Sequence, residues 1–312
     1  MKIFNSLLLL ITFMMIQSVS VAQNQIDGSE IIGYWDLEFD MNGETLPGWL
    51  HAKRSGTRTL VGEIVGTSGS TRPISEIDYA ADTGIYSFSI PPQWETVDGH
   101  LSFSFTLENN EIEGNVDMAG QTNYFTGTPA PKLTRNEPPV WGNPINMLDN
   151  NMSKWIIPEQ NQFVMQDGVL INQAMGGNLV STETFDDFKL QLEFRYPEGS
   201  NSGVYLRGRY EVQIEDNTSD VITKVMIGGI YGFIEPTVNA AKGPGEWQTY
   251  NITLVGRKIT VVLNGVEVIT NRSIPGITGG ALDSREGEPG PIMIQGDHGP
   301  VEFRKFIITP SR

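Results

Sequence analysis

Asn201-Ser202-Gly203-Val204-Tyr205-Leu206-Arg207-Gly208-Arg209-Tyr210-Glu211-Val212-Gln213 alternates with the two-residue period of a β-strand. Successive strand side chains point to opposite faces. Val204, Leu206, Tyr210 and Val212 therefore share one face, and Tyr205, Arg207, Arg209, Glu211 and Gln213 share the other. Two arginines, a carboxylate, an amide and a phenol in one row suit a polar, hydroxyl-rich or anionic ligand. An ordinary solvated strand more often carries Thr, Ser and Lys.

The β-reading extends outward in both directions. Phe188–Tyr196 alternates, with Lys189, Gln191, Glu193 and Arg195 on its polar side, and Asn264-Gly265 between two β-branched runs signals a tight hairpin. About a dozen strands are expected after Trp155, with a helical turn expected only at Val238–Lys242. So many strands in one open sheet would curl or split, so two packed sheets, a β-sandwich or jelly roll, are expected over residues 146–312. Residues 27–130 hold shorter runs, such as Ile31–Phe39, Leu60–Val65, Tyr86–Ile90, Leu101–Leu107, Glu111–Met118 and Asn123–Gly127, separated by turn signals. They predict a small β-barrel or meander. Gly33-Tyr34-Trp35 resembles the opening of lipocalin-like barrels, and Trp35 is expected to plug the barrel's end. Between the two units, residues 131–145 are proline-rich and read as a stiff linker. The fold class is thus all-β.

Composition narrows the function. The 312 residues carry a net charge of −16 and no basic run, which argues against nucleic acid and against anionic membrane surfaces. Cysteine is absent, so disulfides, thiol nucleophiles, thiolate metal sites and lipidation are excluded. Lys2, the apolar run Leu7–Ile16 and the small-x-small site Ser20-Val21-Ala22 predict a signal peptide over residues 1–22, and hence export to the periplasm or medium. Removing those residues, which hold one lysine and no acid, takes the net charge from −16 to −17. No later segment is apolar enough for a transmembrane anchor.

Two loops join the polar rows. Lys242-Gly243-Pro244-Gly245-Glu246-Trp247-Gln248 presents a cation and a large ring of the kind that stacks on sugar faces. Gln295-Gly296-Asp297-His298-Gly299-Pro300 puts an acid beside a histidine in a glycine-flanked turn. If the strand Phe188–Tyr196 neighbours the Asn201–Gln213 stretch, Glu193 and Arg195 share its face. Phosphate loops, dinucleotide fingerprints, zincin helices and nucleophile elbows are absent. No cofactor is demanded; Glu, Asp and His298 could hold a divalent metal ion, but no ligand spacing requires one.

Residues 146–309 resemble the 3-keto-disaccharide hydrolase domain family, a former domain of unknown function with a concanavalin-like jelly roll. The resemblance rests on motifs in order: Trp155; Asp167-Gly168-Val169-Leu170; Asn178-Leu179-Val180-Ser181-Thr182; Phe185-Asp186-Asp187-Phe188; Asn201-Ser202-Gly203-Val204-Tyr205-Leu206-Arg207-Gly208; Tyr210-Glu211-Val212-Gln213; Pro244-Gly245-Glu246-Trp247; and Gln295-Gly296-Asp297-His298-Gly299. The segment Met147–Asn151 departs from the family's opening pattern, and the first unit lies outside the resemblance.

The resemblance implies cleavage of glycosides oxidised at C3, by elimination and hydration. Such chemistry needs a base, an electrophile for the enolate and an acid for the leaving oxygen. The expected catalytic set is Glu211 and His298 as base and acid in either order, Asp297 orienting His298, and Arg207 or Lys242 steadying the enolate. Glu193, Arg195, Tyr205, Gln213, Trp247 and Gln295 are expected to bind substrate, an oligosaccharide or other glycoside. An upstream sugar 3-oxidoreductase would be a natural partner. A carbohydrate-binding, lectin-like module is the alternative, and an exported adhesion protein a third.

Overall fold

The computed structural model describes residues 27–216, 219 and 221–312. The expected signal peptide lies outside the described residues. The described chain is all-β, with a single short 3-10 turn at Ser29–Ile31. Among the described residues no helix is long and apolar enough to cross a membrane.

Strands β1 (Gly33–Met41), β2 (Glu44–Ser55), β3 (Thr59–Val65), β4 (Arg72–Ala80), β5 (Ile85–Ile90), β6 (Leu101–Glu108), β7 (Glu111–Met118) and β8 (Gln121–Pro129) close into an antiparallel barrel in sequence order. Alternate residues point inward and fill it, as expected for eight strands. Aromatic side chains dominate the filling: Phe88 stacks on Phe103 at 4.6 Å and Tyr86 on Phe105 at 5.3 Å. Trp35 is buried at the barrel's end and donates its indole N–H to Ile31 O at 2.8 Å. Sequence reasoning did not anticipate β2 and β4, because Pro47 and Pro73 interrupt them. Both prolines sit where their strand has one neighbour: β2 meets β3 only from Trp49 onward, and β4 meets β5 only from Asp78 onward. The absent N–H therefore costs no ladder bond.

The second unit comprises β9 (Ile145–Asn146), β10 (Trp155–Ile156), β11 (Phe163–Gln166), β12 (Val169–Asn172), β13 (Leu179–Phe185), β14 (Phe188–Arg195), β15 (Asn201–Leu206), β16 (Tyr210–Glu215), β17 (Gln248–Val255), β18 (Lys258–Leu263), β19 (Val266–Ser273), β20 (Gly290–Ile294) and β21 (Val301–Pro310). One sheet runs β10-β13-β20-β15-β16, and the other runs β11-β12-β21-β14-β17-β18-β19 with β9 added on β21. Their inner faces make one apolar core containing Leu190, Leu192, Phe194, Val204, Val212, Ile292 and Phe303. Val238–Lys242 is irregular rather than helical, since its backbone turns to meet the 242–248 loop.

The two units share buried surface. Trp49 and Val65 of the barrel belong to the sandwich core, and Trp49 meets Phe233 edge to face at 5.1 Å. The proline-rich segment runs along the sandwich and is fastened to it. Arg135 pairs with Asp186 at 2.6 Å and Asp187 at 2.7 Å, and Arg257 donates to Pro131 O at 3.1 Å.

Candidate active site

The hairpin β15–β16 sets Tyr205 opposite Glu211 and Gly203 opposite Gln213. Tyr205, Glu211 and Gln213 thus share the face turned away from the sandwich core, as the alternation requires. This face is covered rather than solvated: all three are at least 97% buried. The loops after β19, around Tyr231 and after β20 surround it, and two barrel loops close the far side. The resulting cleft has a volume of about 400 Å³, and is lined by Asn201, Tyr205, Glu211, Gln213, Tyr231, Gly279, Gly280, Gln295 and His298 from the sandwich with Ser68, Gly69 and Trp94 from the barrel.

Glu211 is held at several points. Its N–H donates to Thr278 Oγ1 at 3.0 Å, and its carbonyl accepts from Tyr231 N–H at 3.1 Å. A Cβ on Gly203 would come within 2.9 Å of the Glu211 carboxyl carbon, so the glycine leaves room for the acid. Burial pushes the Glu211 carboxyl up to about 8, and it keeps its proton at neutral pH. The Tyr205 hydroxyl has two oxygens in reach, Glu211 Oε2 at 3.0 Å and Gly279 O at 2.9 Å, but one proton to give. A protonated Glu211 removes that competition: it can donate to Tyr205 while Tyr205 donates to Gly279 O.

Asp297 and His298 occupy the turn after β20. His298 Nδ1 lies 2.6 Å from Asp297 Oδ1, and both side chains are about half exposed. Hydrogen bonding to Asp297 raises the imidazole above its ordinary value, and the same bond lowers the Asp297 carboxyl. The turn is stapled to the sandwich. Asn172 donates to Gly296 O at 3.1 Å and Gly299 O at 2.9 Å, Ser200 donates to Pro300 O at 2.6 Å, and Gly296 N–H donates to Asn178 Oδ1 at 2.9 Å. The imidazole is therefore exposed on a fixed loop.

Two amide oxygens in the cleft wall, Gln213 Oε1 and Gln295 Oε1, are buried and accept no hydrogen bond. A buried unpaired acceptor is costly.

Of the expected residues, Glu211, His298, Tyr205, Gln213 and Gln295 line one cleft, with Asp297 bonded to His298. The rest are elsewhere. Arg207 is completely buried and stands outside the cleft lining. Strand β15 ends at Leu206, and the turn gives Arg207 a φ of +54°, so the alternation stops before it. Its guanidinium bonds Asp186 at 3.2 Å and Gly256 O. Arg209 is also buried, on Asp283 at 2.7 Å. Glu193 and Arg195 lie on β14, which belongs to the opposite sheet and does not neighbour β15. There Glu193 pairs with Arg304 at 2.6 Å and Arg195 with Glu302 at 2.7 Å. Trp247 carries Arg304 and Arg195 over its ring, at 4.4 and 4.8 Å. Lys242 donates to Trp247 O at 3.0 Å. None of these lines the cleft.

Sequence reasoning missed Asn201, Tyr231, the Gly279-Gly280 turn and the whole barrel wall. For the barrel wall the available signal was an aromatic in a proline-led loop, Pro91-Pro92-Gln93-Trp94. Among the described residues no three His, Asp or Glu side chains gather closely enough to hold a metal ion.

Among curated proteins none matches this chain. Two solved structures, each of a candidate glycosyl hydrolase from Parabacteroides distasonis, are similar to it. One is 26% identical, covers 56% of this chain and 92% of its own, and has a TM-score of 0.46. The second is 24% identical, covers 54% of this chain and 98% of its own, and has a TM-score of 0.44. The model of the 3-keto-alpha-glucoside-1,2-lyase-like domain matches residues 143–309, more than half the chain and all of the cleft's sandwich wall. The chain belongs to that carbohydrate-active family.

Proposed function

We propose that this protein cleaves 3-keto-glycosides in the Glu211–His298 cleft. The observation that carries the reading is one cleft holding a buried, protonated carboxyl and an exposed Asp297-bonded imidazole.

The C3 ketone acidifies the C2 proton. Neutral His298 takes that proton, and the electrons left on C2 delocalise into the C3 carbonyl as an enolate. Among the lining residues His298 is the one group able to carry positive charge, so the imidazolium, paired with Asp297, neutralises the enolate. The enolate re-forms the ketone as the C1–O bond breaks, leaving a C1=C2 double bond. Glu211 gives its proton to the departing oxygen. In the hydration half, ionised Glu211 takes a proton from water, hydroxide adds at C1, and His298 returns its proton to C2. The sum is hydrolysis; release before water adds would make the same site a lyase. Gln213 and Gln295 accept sugar hydroxyls.

The substrate must come from an oxidation at C3, so a sugar 3-oxidoreductase belongs upstream. Export is part of the same reading, supported by Lys2, Leu7–Ile16 and Ser20-Val21-Ala22. The test is incubation of pure protein with 3-keto-disaccharides, followed by product analysis. Aglycone release, and its loss by roughly 10²–10⁴-fold in Glu211→Gln and His298→Ala at unchanged fold, is expected. Binding without release would favour the lectin-like alternative. Full activity in both variants would sink the assignment.

A further inference from the structure

We infer that the barrel completes the sugar site, with Trp94 as the stacking platform for the second ring of the substrate, on the leaving-group side. The inference rests on the reading of the cleft as a glycoside site and deepens it. The barrel lies outside the family match, which begins at residue 143.

The chain has six tryptophans, and Trp94 is the one left open, 65% exposed on the cleft rim. The ring expected to stack on sugar, Trp247, is instead covered by two arginines. An open indole facing a ligand-sized cleft is a ready surface for the apolar face of a pyranose.

The platform is built, not incidental. Glu95 Oε2 accepts the N–H groups of Gln93 at 2.8 Å and Trp94 at 3.2 Å, and Glu95 is paired with Arg72 at 3.0 Å. Gln93 clasps Ser70 twice, accepting its N–H at 3.0 Å and donating to its hydroxyl at 2.7 Å. The edge of the indole rests on Gly69, where an added Cβ would strike the ring. Gly69 in turn touches Gly279, whose carbonyl receives the Tyr205 hydroxyl. The platform and the acid therefore share one chain of contacts.

The two walls differ in chemistry. The sandwich side is lined by polar side chains, Asn201, Gln213, Gln295, Glu211 and His298, and the barrel side offers an aromatic face. A ring with hydroxyls on its edge and carbon–hydrogen bonds on its face fits between them. Glu211, which protonates the leaving oxygen, lies on the sandwich side, so the ring beyond that oxygen is the one offered to the barrel.

The test compares a 3-keto-disaccharide with the methyl 3-keto-glycoside, which lacks the second ring, in wild type, Trp94→Ala and Trp94→Phe. For Trp94→Ala we expect KM for the disaccharide to rise about tenfold with kcat nearly unchanged, and the methyl glycoside to be almost unaffected. Trp94→Phe should recover most of the loss. Equal effects on both substrates, or none on either, would overturn the inference. Calorimetric binding of the unoxidised disaccharide separates the two readings. If wild type binds and Trp94→Ala does not, while neither turns anything over, the catalytic reading falls and the platform stands. Disaccharide binding unchanged in Trp94→Ala overturns the platform whatever the turnover. An unchanged melting temperature confirms the fold of each variant.

Discussion

Glu211 is a buried carboxyl whose ionisation works against the folded state. Its ordinary value of 4.5 rises to about 8 on burial, so the folded protein holds a proton that the unfolded chain releases over that interval. The favourable neutral form is fully present below pH 4.5, and its advantage is lost as pH rises from 4.5 to 8. Across that window, each pH unit removes about 1.4 kcal/mol. Glu211→Gln should therefore melt higher than wild type at about pH 8.5, by an amount on the order of a few kcal/mol, with the gap closing toward about pH 5. Thermal melts across that range check the direction; a variant less stable at every pH contradicts it. The proposed mechanism uses the same charge states: it requires His298 neutral and Glu211 protonated, so kcat/KM should rise through the elevated imidazole value above 6.5 and fall above about 8. Asp297→Asn removes the group that raises His298, so the acidic limb should move to lower pH. A fixed limb would separate Asp297 from His298. Tyr205, Glu211 and Gln213 were legible in the sequence because they sit on paired strands, where period two dictates direction. Arg207 was misplaced because the strand ends at Leu206 and the turn begins at Arg207 itself, a boundary that the alternation alone does not mark.

At the scale of elements, the hairpin β15–β16 is the site's foundation. Its register follows from burial on both faces: a slip by one residue would carry Val212 into the cleft and Glu211 into the apolar core. Gly203→Ala tests how tightly the hairpin positions the acid. The new methyl would displace the Glu211 carboxyl, and kcat is expected to drop at least about tenfold with a smaller change in KM. Wild-type kinetics in Gly203→Ala would mean that Glu211 has room to move. Strands were read well where alternation was clean: Glu111–Met118 is β7, and Phe188–Tyr196 overruns β14 by one residue. Sheet membership was not legible. Glu193 and Arg195 alternate as well as Tyr205 and Glu211 do, yet β14 pairs with β17 and β21 in the opposite sheet. Local pattern gives a strand its faces; which strand lies beside it depends on chain crossings that a single strand does not encode.

At the scale of the whole molecule, the barrel and sandwich are held by Trp49 as much as by the linker. Trp49 is completely buried, contributes to the sandwich core and packs on Phe233. Trp49→Ala should lose about 3–5 kcal/mol in urea unfolding and weaken activity by loosening the barrel wall. A loss below about 1 kcal/mol would mean that the two units hold together without it. That the second wall comes from another unit explains why the cleft could not be assembled from one stretch of sequence. Ser68, Gly69 and Trp94 stand more than a hundred residues from Glu211 and share no motif with it.

Where the two units meet over the cleft, peptide lies against peptide: a Cβ on Gly279 would fall 2.8 Å from Gly69 N. The gauge of the opening is thus fixed by main chain, while its chemistry is supplied by side chains set back from that contact. The two properties can be tuned separately. On the proposed reading, exchanging Trp94, Gln213 or Gln295 would retailor which ligand fits without widening the slot, whereas a methyl on Gly279 would press on the Gly69 peptide and pry the slot apart without touching those side chains.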